Sequence, residues 1–144
     1  MSVDDLQKKT DPKDVNTWTF ERFEAGALIG SSSQQISEEI VESWTSIYEP
    51  LNGRESLPYG ITQLVTMKAY ADVVAPRPPG NIHAAHRCHL YELPTISNVL
   101  TADVYCIEKY VRRNRNMVDF RVDVKDAVSG RPLCQSVLKI CWAT

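Results

Sequence analysis

The sequence predicts an α+β domain in which an antiparallel sheet wraps around one enclosed helix. Residues 61–74 are apolar on nearly every side of a helical wheel, a pattern that is typical of a helix enclosed by other elements. The Pro/Gly break at residues 77–80 ends that helix. Only strand-like segments follow the break, so we expect the C-terminal half of the chain to supply most of the sheet.

Length and composition fit one soluble globular domain. The chain has 144 residues, of which 43% are hydrophobic and 24% are charged. The net charge of −2 and the pI of about 5.9 do not indicate a nucleic-acid or anionic-membrane partner. No segment has the ~20 apolar residues of a membrane span, and the polar N-terminus does not resemble a signal peptide. We therefore expect a soluble, cytoplasmic protein.

The N-terminal half predicts an arm, an edge strand and a helix. Residues 1–16 carry many charges and few large apolar groups, which predicts a flexible arm before a single domain at residues 17–144. An aromatic entry segment then leads to an edge strand that ends with the polar run 31–35. Ser37 is the predicted N-cap of a helix that ends at Pro50. The apolar stripe of this helix comprises Ile40, Val41, Trp44, Ile47 and Tyr48.

Alternation of apolar and polar residues predicts four antiparallel strands after the Pro/Gly break. They cover residues 82–91, 99–110, 118–125 and 134–142, with turns at 113–116 and 129–130. The short turns and the period of two predict a meander, in which each strand pairs with the next. The four cysteines fall in these strands without CxxC spacing, which predicts small core residues and no zinc site: Cys88, Cys106, Cys134 and Cys141.

All three histidines of the chain lie in the strand at 82–91, which makes this strand the best place for acid–base chemistry at neutral pH. Strict alternation puts His86 on the apolar face, where a hydrogen-bonded core histidine is the alternative interpretation. It puts His83 and His89 on the opposite face with Arg87, where solvated or interface sites are the alternative. Because His86 would point away from the other two, a shared metal site is geometrically poor, and we predict no metal.

Lys68 and Asp72 lie four residues apart on the enclosed helix. Charges on an enclosed helix need partners, and residues at this spacing are neighbours on one helix face. The spacing therefore predicts a structural ion pair, with a role at a ligand pocket as the alternative.

The order of a leading strand, a capped helix, a loop, an enclosed helix and antiparallel strands is that of a hotdog fold. Residues 20–50 resemble the opening of MaoC-like acyl-thioester dehydratases, in which an F-x-x-F-x-x-G entry precedes a polar strand and a capped helix. Residues 59–74 are similar to the central helix of that family, and residues 78–133 to its later strands. The resemblance covers residues 18–142 and implies a hotdog fold with hydratase or dehydratase activity. No cofactor is predicted.

The chain departs from the family at the catalytic loop. MaoC-like hydratases carry G-D-x-N-P-x-H there, and the Asp and His move protons as water adds to or leaves a 2-enoyl thioester. Residues 47–60 read IYEPLNGRESLPYG, in which Glu49 stands where the Asp would fall and no residue matches the His. The resemblance therefore implies catalysis by Glu49 with one of three histidines, His83, His86 or His89. The candidate substrate-binding residues are Tyr48, Arg54, Tyr59, Asp72 and Arg87.

Three hypotheses remain open at this stage. The chain is a hydratase or dehydratase with non-standard acid–base residues, acting on a CoA- or carrier-bound acyl thioester or a related polyketide-like molecule. Alternatively, it is a catalytically silent subunit that completes the acyl- and CoA-binding tunnel of a heteromeric hydratase. The third hypothesis is a different hotdog activity, such as a thioesterase or a small-molecule cyclase or lyase. Hotdog thioesterases use a carboxylate near the central helix, where this chain has only Asp72. The resemblance implies a homodimer or a hetero-oligomer with another hotdog chain.

Overall fold

The computed structural model describes residues 16–48, 60–95 and 98–144, and the predicted arm lies almost wholly outside these residues. The described part contains a short 3₁₀ helix, two α-helices and five strands, which confirms the predicted α+β class. In chain order the elements are the 3₁₀ helix (Phe20–Arg22), β1 (Leu28–Gln35), α1 (Glu38–Ile47), α2 (Gly60–Val73), β2 (Ile82–Leu90), β3 (Val99–Arg112), β4 (Arg115–Asp126) and β5 (Pro132–Trp142). Neither α-helix is long and apolar enough to cross a membrane.

The five strands form one antiparallel sheet in the order β1-β3-β4-β5-β2. Strands β3, β4 and β5 form the predicted meander. The prediction is wrong for β2, which lies at the far edge of the sheet and pairs with β5 rather than with β3. Alternation identifies the buried face of a strand but does not identify its neighbour, so local pattern could not reveal this long-range pairing.

Helix α2 packs across one face of the sheet and forms the centre of the core. Its buried apolar residues are Ile61, Val65, Ala69 and Tyr70, and the sheet covers them with residues such as Val104, Phe120, Leu138 and Trp142. The prediction that α2 is enclosed on every side is wrong, because the face with Lys68 and Asp72 is open to solvent. The predicted ion pair is confirmed there, with 2.8 Å between Lys68 Nζ and Asp72 Oδ2. An ion pair this exposed contributes little to stability.

The predicted cap of α1 is confirmed, but its apolar stripe is shorter than predicted. The backbone N–H of Ile40 donates a hydrogen bond to Ser37 Oγ at 3.3 Å. Ile40, Val41 and Trp44 pack against the core. Ile47 and Tyr48 are 73% and 57% exposed, so the prediction is wrong for these two residues. They lie at the C-terminal end of α1, after the residues of the stripe that pack against the core.

A polar ladder on the other face of the sheet joins β1 to β3 and β4. Ser31 Oγ donates a hydrogen bond to Asp103 Oδ1 at 2.6 Å, and Lys125 Nζ lies 3.1 Å from Asp103 Oδ2. These contacts lower the pKa of Asp103, and the hydrogen bond from Ser31 is the largest cause. The ionised carboxylate is therefore the form that the folded state favours.

Replacing Ser31 with Ala is expected to raise the pKa of Asp103 toward its usual range. A carboxyl group with a depressed pKa stabilises the fold at neutral pH, and this contribution is lost as the pH falls through the folded-state pKa. The variant should therefore lose stability at pH 7 and show a flatter acid limb in urea unfolding. Ser33→Ala, two residues along the same strand, is the matched control. An unchanged Asp103 titration by NMR in the Ser31 variant would contradict this assignment.

Candidate functional site

A β-bulge in β2 decides which histidines lie together. His83 and His86 pair with Ile140 and Leu138 of β5, whose buried side chains face α2. The register shifts between His83 and Ala85, so one extra residue stands in β2 at this point. A bulge of this kind moves the side chains before it to the other face relative to strict alternation. Both histidines therefore lie on the side of the sheet that carries α2.

The prediction that His83 shares a face with His89, opposite His86, is wrong for His83. The rings of His83 and His86 are stacked, with 5.5 Å between their centroids and 21° between their planes. His89 does lie on the opposite face, where its ring is 4.6 Å from that of Tyr91. The alternation of residue types in β2 contains no sign of the bulge, so sequence reasoning missed this pair.

The environment of His86 favours its neutral form. Partial burial lowers the pKa of His86 from its usual 6.5, and the charge that His83 can carry lowers it further. At neutral pH the imidazole therefore has a free lone pair and can accept a proton. The side chain is still exposed, as are all positions of β2 from Ile82 to His89. His86 is thus accessible to a ligand, which the alternative of a core histidine would not allow.

Strand β2 is an open edge of the sheet. One side of it pairs with β5, and no strand among residues 16–48, 60–95 and 98–144 pairs with the other side. Both faces of β2 are exposed over most of its length. In the same described ranges, no three His, Cys, Asp or Glu side chains are arranged to hold a metal ion.

A cluster of polar and thiol side chains lies where α2 meets β2 and β5. Gln63 Nε2 is 2.7 Å from Cys88 Sγ, and Thr66 Oγ1 is 3.9 Å from Cys134 Sγ. Ser136 stands opposite Cys88 in the ladder between β2 and β5, and its buried Oγ has no hydrogen-bond partner. Gln63 and Ser136 were missed from sequence. The sequence marks Ser136 only through alternation, which places it on the same face of β5 as the buried residues Cys134 and Leu138.

The prediction that the cysteines are small core residues holds for only some of the four. Cys106 and Cys134 are buried, as predicted, and Cys141 is half-buried. The prediction is wrong for Cys88, which is exposed because β2 is an edge strand that α2 covers incompletely. All four thiols are free.

Gly60 allows α1 to approach the N-terminus of α2 closely. A Cβ atom at this position would overlap the indole ring of Trp44. Residues 49–59 connect the two helices and lie outside the described residues, and so do the candidate residues Glu49, Arg54 and Tyr59. Tyr48 is the last described residue of this connection, with its ring 4.7 Å from that of Trp44.

The remaining candidates do not join the His83–His86 pair. Asp72 is ion-paired with Lys68 on the solvent face of α2. Arg87 pairs with Val137 in the ladder and, like His89, lies on the face of β2 that is turned away from α2. Of the predicted catalytic and substrate-binding residues that the structure describes, it brings together only the two histidines.

Solved structures resemble this fold, although no protein-family model and no curated protein matches the chain. The MaoC-like dehydratase from Rhodospirillum rubrum has a TM-score of 0.72 and 13% identity over 86% of this chain and 96% of that one. The unliganded R-hydratase PhaJ1 from Pseudomonas aeruginosa has a TM-score of 0.68 and 13% identity over 85% and 84%. The HadBC (3R-hydroxyacyl-ACP dehydratase) complex from Mycobacterium tuberculosis has a TM-score of 0.62 and 10% identity over 76% and 89%.

The chain adopts the hotdog fold. The five-stranded antiparallel sheet with two helices matches these structures, so the fold predicted from residues 18–142 is confirmed. Identities of 10–13% establish the fold and not the activity.

Proposed function

We propose that this protein is a MaoC-like hydratase or dehydratase that acts on an acyl thioester and uses non-standard acid–base residues. The observation that carries the proposal is the exposed pair of His83 and His86 on the α2 side of β2. The likeness in fold to an R-hydratase and to two dehydratase structures supports the same reaction class. A related polyketide-like small molecule is the alternative substrate.

In the proposed reaction, His86 acts as the general base. Its lowered pKa keeps the imidazole neutral, so Nδ1 or Nε2 can take a proton from water as the oxygen adds to C3 of a 2-enoyl thioester. A second group must deliver a proton to C2. We assign that role to Glu49, which stands where the family has its catalytic carboxylate. Dehydration is the same sequence in reverse.

Tyr48, Arg54 and Tyr59 remain the proposed substrate-binding residues. They lie at the end of α1 or in the connection that leads to the N-terminus of α2, which is the family's position for the catalytic loop. Arg87 and Asp72 have weaker support, because one lies on the far face of β2 and the other is engaged with Lys68.

We also propose that β2 pairs with a second hotdog chain, either a copy of this one or a different subunit. An open edge strand exposes unpaired backbone N–H and C=O groups, which another strand can satisfy. The edge of β2 is nine residues long and has no covering element among the described residues. Light scattering of the purified chain tests this assembly, and a monomer at high concentration would contradict self-pairing.

A catalytically silent subunit is the second candidate function. It is favoured by the likeness to the HadBC complex and by the lack of the family's Asp and His in residues 47–60. A neighbouring gene that encodes a hotdog chain with an intact Asp/His loop would support it. Activity that appears only when the two chains are combined would establish it.

Hydration of 2-enoyl-CoA thioesters of increasing chain length tests the main proposal. We expect loss of the conjugated enoyl absorbance with the purified chain alone, and formation of a 3-hydroxyacyl product. No turnover with any chain length, in a sample that is folded, would overturn the assignment as an independent enzyme.

Replacing Glu49 with Gln is expected to reduce hydration by about 10²-fold or more, because Gln cannot transfer a proton. The thermal unfolding midpoint should stay unchanged. Glu55→Gln, in the same connection, is the control and should retain activity. Wild-type turnover in the Glu49 variant would remove this residue from the proposed mechanism.

A further inference from the structure

We propose that Cys88 is a covalent acylation site, at which the thiol takes the acyl group from an acyl thioester. The inference shares only its ligand class with the proposed function. It rests on a separate set of contacts between α2, β2 and β5.

Cys88 is exposed on β2, and its sulfur accepts a hydrogen bond from Gln63 of α2. It lies on the same face as His86 and two positions further along the strand, so about 7 Å separates their Cα atoms. An acyl thioester bound along this face would therefore pass the Cys88 sulfur and the His86 imidazole in turn.

Two polar side chains flank Cys88: Gln63 contacts its sulfur, and Ser136 stands opposite it in the ladder. Gln63 Nε2 donates a hydrogen bond to Cys88 Sγ over 2.7 Å, so its amide group lies beside the sulfur to which an acyl carbon would bond. Attack on a thioester places negative charge on the carbonyl oxygen, and donors held close to that oxygen stabilise the tetrahedral intermediate. Gln63 can supply one such donor without a change in the fold.

Ser136 is the second donor and an independent sign of a ligand. It lies directly opposite Cys88 in the ladder, on the same face of the sheet, and is 0% exposed. Its Oγ has no hydrogen-bond partner. Buried hydroxyl groups are almost always hydrogen-bonded, so an unpaired one beside an exposed thiol fits a site whose acceptor is a bound carbonyl oxygen.

The transfer balances without an oxidant or reductant. A bond forms between Cys88 Sγ and the acyl carbon as the carbon–sulfur bond of the donor thioester breaks, and the Cys88 proton ends on the departing thiol. The neighbouring thiol does not compete, because burial raises the pKa of Cys134 to about 12 and keeps it protonated. Acylation is therefore expected at Cys88 rather than at Cys134.

Incubation with hexanoyl-CoA, followed by intact-mass and peptide mass spectrometry, tests the inference. This saturated thioester has no double bond to hydrate, so acylation is measured independently of the proposed lyase activity. We expect one hexanoyl group per chain, located on Cys88. Cys88→Ser should abolish the adduct, and Gln63→Ala should slow its formation about tenfold.

Cys141→Ser is the control, because Cys141 is half-buried on the opposite face of the sheet. Cys141 of the wild-type chain should not be labelled, and the Cys141→Ser variant should still gain the adduct on Cys88. The inference is overturned if the wild-type chain gains no adduct, or if Cys141 is labelled as fast as Cys88. Peptide mapping of the wild-type chain locates the adduct even if Cys88→Ser fails to fold. An adduct on Cys88 without any enoyl hydration would overturn the proposed function and leave this inference standing.

Discussion

Replacing His86 with Gln is expected to lower kcat for enoyl-thioester hydration by about 10²- to 10⁴-fold, the range that a lost general base produces. Gln keeps a hydrogen-bonding side chain at an exposed position, so the fold should survive. His89→Gln is the control, since its ring lies on the other face of β2 beside Tyr91. Equal losses in the two variants would show that the effect is not specific to the histidine pair.

The pH dependence gives a second test of His86. Because its pKa lies below 6.5, kcat/KM should stay high as the pH falls to that value and decline only as the imidazole takes up a proton. Below pH 6.5 the unfolded chain binds protons that the folded chain does not, so wild-type stability should also decrease as the pH falls. His86→Gln should remove the decline in kcat/KM and lessen the loss of stability just below pH 6.5. An acid limb of kcat/KM that persists in the variant would contradict the assignment of the base.

Replacing Phe120 with Ala is expected to cost about 3–5 kcal/mol of unfolding free energy, through lost burial and the cavity that remains. Phe120 is fully buried on the central strand β4. Its ring centroid lies 5.3 Å from that of Phe23, 5.2 Å from Tyr70 and 5.9 Å from Trp142, so it links the entry segment, α2 and β5. Typical domains have only about 5–15 kcal/mol in total. Urea unfolding at pH 7 measures the loss.

Val128→Ala is the control for this substitution, because Val128 is apolar and 92% exposed in the turn between β4 and β5. Its effect should stay within about 0.5 kcal/mol. A loss below about 1 kcal/mol for the Phe120 variant would mean that this aromatic cluster is not the centre of the core.

Local pattern determined most of the elements of this protein. Alternation of apolar and polar residues located the strands, because successive side chains in a strand point to opposite faces. Ser37 marked the start of α1, and the Pro/Gly break at 77–80 separated α2 from β2. Each of these signals depends only on residues that are close together in the chain, so the elements can be predicted without the structure. The order of the predicted elements is that of a hotdog fold.

Tertiary structure alone decided the candidate site. The bulge in β2 places His83 on the same face of the sheet as His86, and it is visible only in the pairing of β2 with β5. The position of β2 at the sheet edge exposes Cys88, although its place in the alternation predicts a buried thiol. Gln63 contacts Cys88 and Ser136 stands opposite it in the ladder, and both belong to elements that are distant from Cys88 in sequence. Pairing partners and register depend on how strands far apart in the chain fit around α2, and no local periodicity contains that information.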